Sequence, residues 1–318
     1  AKYHITLLDS ANAVIDQIDC LNQAAVSLAA VYAAGNYTLR VTPVEIVDAG
    51  NPFSVQLIAS TIQREQEPNN TTAQASTLDI AQSVTGRLSS NSDIDYYTFT
   101  LPDTRYLDMT FAASGSTKSF SLALYAGSGG SPINGIDVTN GQSVTLPLGL
   151  ALGKYYLAVK SDGVNADTIN YYTVSFANSS QTNLEMESNN SRGQANEIGK
   201  TTPLKGRINS ASDKDYYGFY LTEDAFFTVQ FTPATTSGDY KISIVDEKET
   251  VLDSFTSTNG AAQSTEIYQV AGNYYIKVEA NGDIDQFNPY QVNLSTAAAV
   301  AAPKRYPVTM AKPAGGVY

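Results

Sequence analysis

Two short acidic phrases recur along this chain, and they hold the residues best suited to do chemistry. Glu67-Pro68-Asn69-Asn70 returns as Glu187-Ser188-Asn189-Asn190, and Asp93-Ile94-Asp95 returns as Asp213-Lys214-Asp215. Carboxylates and Asn carbonyls are hard oxygen donors, and calcium takes about six to eight of them in flexible geometry. Alternate residues of an extended stretch point to the same side, so the two aspartates of each pair can face one site. A second reading stays open, in which the Asn pairs build Asx turns and the aspartates cap strand ends.

Catalysis finds little support. The chain has one histidine, His4, and one cysteine, Cys20. That rules out a His/Cys zinc cluster and leaves no convincing Ser-His-Asp or Cys-His arrangement. No G-x-S-x-G is present. Gly127 to Gly130 reads as a hairpin loop rather than a phosphate loop, because no G-K-[ST] follows it. The expectation is a protein that is not an enzyme. Paired tyrosines, among them Tyr96-Tyr97, Tyr155-Tyr156 and Tyr216-Tyr217, place one ring inward and one outward on a strand. The outward rings could stack on sugars or cover a neighbouring strand.

The acidic phrases belong to a larger repeat. SDIDYYTF at Ser92 to Phe99 returns as SDKDYYGF at Ser212 to Phe219. GKYYLAV at Gly153 to Val159 returns as GNYYIKV at Gly272 to Val278, and appears once early as GNYTLRV at Gly35 to Val41. The offset is about 120 residues, the signature of a tandem array. Apolar residues alternate with period two, as in Tyr97-Phe99-Leu101, Phe120-Leu122-Leu124 and Phe227-Val229-Phe231. Gly, Asn, Asp and Ser clusters punctuate the runs. The expected fold class is all-β: tandem antiparallel β-sandwich, jelly-roll-like modules with an extended C-terminal tail.

The repeat divides the chain into residues 1–60, a partial module holding only the second half; 65–180 and 184–296, two full modules; and 297–318, the tail. Ile5-Leu7 aligns with Leu122-Leu124, and Phe53-Val55-Leu57 aligns with the closing strand Tyr172-Val174-Phe176. Ser60 to Gln66 and Gln181 to Glu185 read as short polar linkers. Short helical turns are expected at Ala73 to Leu78 and Gly193 to Ile198, and Asn22 to Val31 is ambiguous.

The formal charge of −12 disfavours a nucleic-acid partner, since phosphate binding needs clustered Lys and Arg. No apolar run is long enough to span a membrane. Cys20 has no internal partner, so the fold does not depend on a disulfide. The first residue is Ala rather than Met, which suggests a processed or trimmed chain.

E-P/S-N-N followed about 25 residues later by S-D-x-D-Y-Y-x-F resembles the bacterial pre-peptidase C-terminal (PPC) domain, a family similar to the collagen-binding domains of collagenases. The two full modules carry the resemblance over nearly their whole length, and the first module over its second half. It implies a jelly-roll-like sandwich in secreted bacterial proteins, often attached to proteases; no peptidase is present here. It also implies calcium binding in some members, at positions matching Glu67, Asn69, Asp93 and Asp95, then Glu187, Asn189, Asp213 and Asp215.

A half sandwich exposes apolar faces and strand edges. In the tail, Tyr306, Val308 and Met310 alternate like one face of a strand. The leading expectation is therefore an extracellular or cell-surface structural subunit. It would assemble head-to-tail into a homopolymer as the tail of one copy completes the first module of the next. The alternative is a monomeric, calcium-dependent extracellular binding module for a matrix, a glycan or a protease.

Overall fold

A computed structural model describes residues 2–21, 24–45, 50–58, 63–285 and 288–297. The first module contains β1 (Tyr3–Leu8), β2 (Val14–Cys20), β3 (Val31–Tyr32) and β4 (Thr38–Pro43). The second contains β5 (Gln66–Glu67), β6 (Ser76–Thr77), β7 (Val84–Gly86), β8 (Ile94–Leu101), β9 (Arg105–Ala112), β10 (Phe120–Ala126), β11 (Asn134–Val138), β12 (Val144–Leu150), β13 (Gly153–Ser161) and β14 (Tyr172–Asn178). The third contains β15 (Asn196–Glu197), β16 (Leu204–Gly206), β17 (Lys214–Leu221), β18 (Ala225–Thr232), β19 (Tyr240–Asp246), β20 (Val251–Ser257), β21 (Gln263–Gln269), β22 (Gly272–Ala280) and β23 (Tyr290–Thr296).

Each full module is two facing sheets. In the second module they run β11-β10-β13-β8-β6 and β12-β9-β14-β7. The third repeats both orders as β20-β19-β22-β17-β15 and β21-β18-β23-β16. The pairings are antiparallel except where short opening strands lie parallel to their neighbours, β6 to β8 and β15 to β17. Period-two alternation sends every second side chain between the sheets. Tyr97, Phe99 and Leu101 are all 3% exposed or less, as are Phe227, Val229 and Phe231.

Aromatic rings form the centre of each core and fix two tyrosines that matter below. Tyr172 lies 5.3 Å from Phe111 and 6.0 Å from Phe120, centroid to centroid. Tyr290 lies 4.9 Å from Phe231 and 5.6 Å from Tyr240. Such contacts orient a ring as well as burying it.

The first module is a single sheet, β2-β1-β4, and β3 pairs in parallel with β5 of the second module. Among the described residues β4 pairs only with β1. Its other edge is the one that β8 and β17 occupy in the full modules. Residues Phe53, Val55 and Leu57, expected as a closing strand, form none, and are 58%, 54% and 96% exposed. Their counterpart β14 is held by β9 and β7, which have no equivalents here. The expected helical turn at Ala73 to Leu78 is a non-helical turn running into β6, and the second reduces to one 3-10 turn at Arg192–Gln194. Residues 24–30 contain no helix. Tyr306, Val308 and Met310 lie outside the described residues. No helix among the described residues is long and apolar enough to cross a membrane.

Truncating Phe231 to Ala should cost the third module about 3–5 kcal/mol, because it removes the ring that seats Tyr240 and Tyr290. Equilibrium denaturation followed by tyrosine fluorescence should show one transition moving to lower denaturant, with the second module's transition unmoved.

Candidate metal centres

The two acidic phrases converge with a third element that the sequence reading placed in the linkers. One carboxylate oxygen from each of Glu65, Glu67 and Asp95 lies within 4.8 Å of the other two, and Glu185, Glu187 and Asp215 repeat the arrangement. All six residues are buried, at 7% exposure or less. Glu65 and Glu185 are held because their segments are not free linkers. Arg64 bridges Thr85, and Leu184 bridges Lys205, both in parallel.

The glycine that ends β7 or β16 receives each of these glutamates. The Arg87 backbone N–H donates to Glu65 Oε1 at 2.8 Å, and the Arg207 N–H donates to Glu185 Oε1 at 2.6 Å. A Cβ on Gly86 would stand 2.2 Å from Tyr97 Oη and 2.5 Å from both Glu65 Oε2 and Tyr172 Oη. A Cβ on Gly206 would meet the matching Tyr217, Glu185 and Tyr290 atoms at 2.1, 2.4 and 2.6 Å. Only glycine leaves room for the tyrosine hydroxyls. Tyr97 Oη donates to Glu65 Oε2 at 3.0 Å and lies 2.8 Å from Tyr172 Oη, which donates to Asp95. In the third module Tyr217 donates to Glu185 at 2.6 Å, and Tyr290 donates to Asp215.

The first asparagine of each pair is buried with an amide oxygen that no protein group satisfies. Asn69 is 0% exposed, yet neither Oδ1 nor Nδ2 has a hydrogen-bond partner. Oδ1 of Asn189, Asp95 and Asp215 is likewise buried and unpartnered. Orphaned buried oxygens are costly. The second asparagine is structural: Asn70 Oδ1 accepts the Ile94 N–H and Asn190 Oδ1 accepts the Lys214 N–H. Asp93 and Asp213 also hold backbone, accepting the N–H of Ser89 and Asn209. They add negative charge nearby without joining the three-carboxylate groups. The Glu67–Pro68 and Glu187–Ser188 peptide bonds are both cis.

This charge is not met by a direct ion pair, although the Arg207 guanidinium acts on Glu185 through space. Among the described residues no ion pair involves a carboxylate of either group. The adjacent arginine side chains reach back to the preceding module instead. Arg87 pairs with Asp16 and donates to the Gln17 carbonyl (3.0 Å) of the first module, and also to the Thr168 carbonyl (2.8 Å) of its own. Arg207 donates to the carbonyl of Pro147 at 2.9 Å. Asn134, also buried, stands where the first module has Asp16: both occupy the strand position facing Leu124 or its counterpart Leu7.

Burial and then the neighbouring acids push these groups up. Glu67 rises from 4.5 to about 9, and Glu65, Asp95, Glu187 and Asp215 also rise, each for the same reasons. Glu185 rises through burial, moderated by the Tyr217 hydroxyl and the Arg207 N–H. The outward tyrosines largely cover their own sheets: Tyr156 and Tyr216 are 7% and 6% exposed, and the Lys154 ammonium sits 5.1 Å from the Tyr156 ring centroid.

The fold and these sites define a tandem β-sandwich protein with one buried acidic centre per full module. No family model and no curated protein matches the sequence. Among solved structures, the pre-peptidase C-terminal domain of collagenase from Bacillus anthracis is 21% identical, covering 32% of this chain and 94% of that one, with a TM-score of 0.27. The tandem CBM51 modules of a Streptococcus pneumoniae family 98 glycoside hydrolase are 7% identical, covering 72% and 87%, TM-score 0.23. The CBM22 tandem of Paenibacillus barcinonensis Xyn10C is 13% identical, covering 64% and 83%, TM-score 0.20.

Two outcomes test the site itself. Gly86→Ala should lower stability by about 1–3 kcal/mol through overpacking, read by denaturant unfolding. The carboxyls are raised in the folded state, so the folded protein holds more protons than the unfolded chain from about pH 4.5 to 9. In chelator, thermal stability should therefore be fullest below that window and fall as pH rises through it; a rise would contradict the geometry.

Proposed function

We propose that this chain is a non-catalytic, extracellular binding module in which each full sandwich is locked by one divalent cation. The observation that carries the reading is a buried group of three carboxylates beside orphaned Asn and Asp oxygens, with no cationic side chain paired to it. Glu65, Glu67, Asn69 and Asp95 would hold one ion, and Glu185, Glu187, Asn189 and Asp215 the other. The donors are all oxygen, which favours a hard cation, and the irregular mixture of carboxylate and amide suits calcium over the stricter octahedron of magnesium. The ion would supply the positive charge that lets these carboxyls ionise inside the protein. The cation would hold the opening segments in place, so that the sandwich surfaces present a matrix, glycan or protein ligand from a rigid frame. Weak extracellular calcium sites operate where calcium is abundant, in keeping with a secreted or cell-surface protein.

Titration calorimetry should find two calcium sites per chain, with protons released on binding and affinity rising with pH. Glu65→Gln should abolish one site and Glu185→Gln the other. Binding that survives both changes would refute the assignment.

A second reading, assembly of copies into a filament, draws on the β4 edge that is unpaired among the described residues and on the open groove of about 530 Å³ lined by Tyr3, Ile5, Val41, Phe53 and Val55. An added strand from the tail of another copy, presenting Tyr306, Val308 and Met310, would pair with that edge. Electron micrographs of the full chain should then show filaments, and removal of residues 300–318 should leave short soluble species. Filaments that persist after the deletion would rule this reading out.

A further inference from the structure

The second module receives the third across the back of β12, and a single glycine makes that approach possible. The incoming segment pairs in parallel, Leu150 to Glu187, and the Glu187 N–H donates to the Gly149 carbonyl at 3.3 Å. A Cβ on Gly149 would stand 2.1 Å from the backbone carbonyl oxygen of Glu185, and 3.1 Å from both its carbon and Met186 Sδ. Backbone atoms cannot yield as a flexible side chain can, so any residue larger than glycine displaces the segment. Around this contact, the Arg207 guanidinium donates to the Pro147 carbonyl and Asn209 Nδ2 donates to the Ile133 carbonyl, both at 2.9 Å.

The third module has a different residue at the matching place. Gly149 faces Tyr106 across the sheet, and its counterpart Tyr268 faces Phe226 in the same register. The Tyr268 ring packs on Phe226 at 5.0 Å between centroids. Leu148 and Leu150, which belong to the core of the second module and are 2% and 1% exposed, correspond to the half-exposed Ile267 and Gln269. In the first module the matching Val31 carries a side chain. There β3 pairs only with the incoming β5 among the described residues, and the Val31 N–H itself donates to the Glu65 carbonyl at 2.7 Å.

We propose that Gly149 is the docking determinant by which one full module accepts the opening segment of the next, and that Tyr268 closes the equivalent surface of the third module to another segment of this kind. The third module is thus capped at this surface, as units that accept no further repeat are. Any domain joined after Thr296 would meet the third module in some other geometry.

Two substitutions test this without reference to any ion. In the full chain, Gly149→Tyr should leave both sandwiches folded by near-ultraviolet circular dichroism while undocking them. Small-angle scattering should show a longer particle, and proteases should cleave residues 179–184 at least about tenfold faster, since cleavage follows the open population. If both sandwiches stay folded yet the particle remains compact and the linker protected, the proposal is overturned. Conversely, a second copy of residues 179–296 joined after Thr296 should dock only when Tyr268 is changed to Gly. Equal docking with Tyr268 in place would also overturn it, as would failure of the glycine form to dock.

Discussion

Three carboxyl groups packed into a dry space are the constraint around which each full module is arranged. Charge in a low-dielectric interior is expensive unless met by an opposite charge or a donor. The molecule meets it with what the geometry permits: an N–H from the residue after a glycine and two tyrosine hydroxyls. Gly86 and Gly206 are glycines because the hydroxyls fill the volume a methyl would need. Tyr172 and Tyr290 are reached from the core, where Phe111 and Phe231 set their rings. The acidic centre is therefore built from the hydrophobic core outward.

The same constraint ties neighbouring modules together. The opening segment brings its first glutamate to a glycine of its own module while it lies against the preceding one, and the following arginine reaches back across the joint. Residues read as connectors between beads are thus part of the bead and of the seam at once.

The sandwich was legible in the sequence because alternation and turn residues act locally and twice over: β8 and β17, or β13 and β22, can be aligned by eye. Two of the three carboxylates of each acidic centre were legible too. Glu65 and Glu185 were missed because the repeat was read from Glu67 and Glu187 onward; the match of Glu-x-Glu two residues earlier, followed by Gly-Arg in the same register, was the available signal. Asp93 and Asp213 were assigned as ligands from strand alternation, but they sit just before the strands and spend an oxygen on loop backbone. The closing strand expected at Phe53 to Leu57 failed for a non-local reason: a strand needs neighbours, and the local pattern cannot say whether they exist.

One difference between the joints gives the chain a direction. The cores of the two full modules match along β8 and β17, β10 and β19, and β13 and β22, whereas the joints do not: Asp16 meets Arg87 as a buried pair, and Asn134 stands in the same place beside Arg207. Repeats that are alike inside and unlike at their borders are not interchangeable parts. Shuffling them would keep every core intact and strand an arginine at the wrong border, so the order of the modules is written in their seams rather than in their folds.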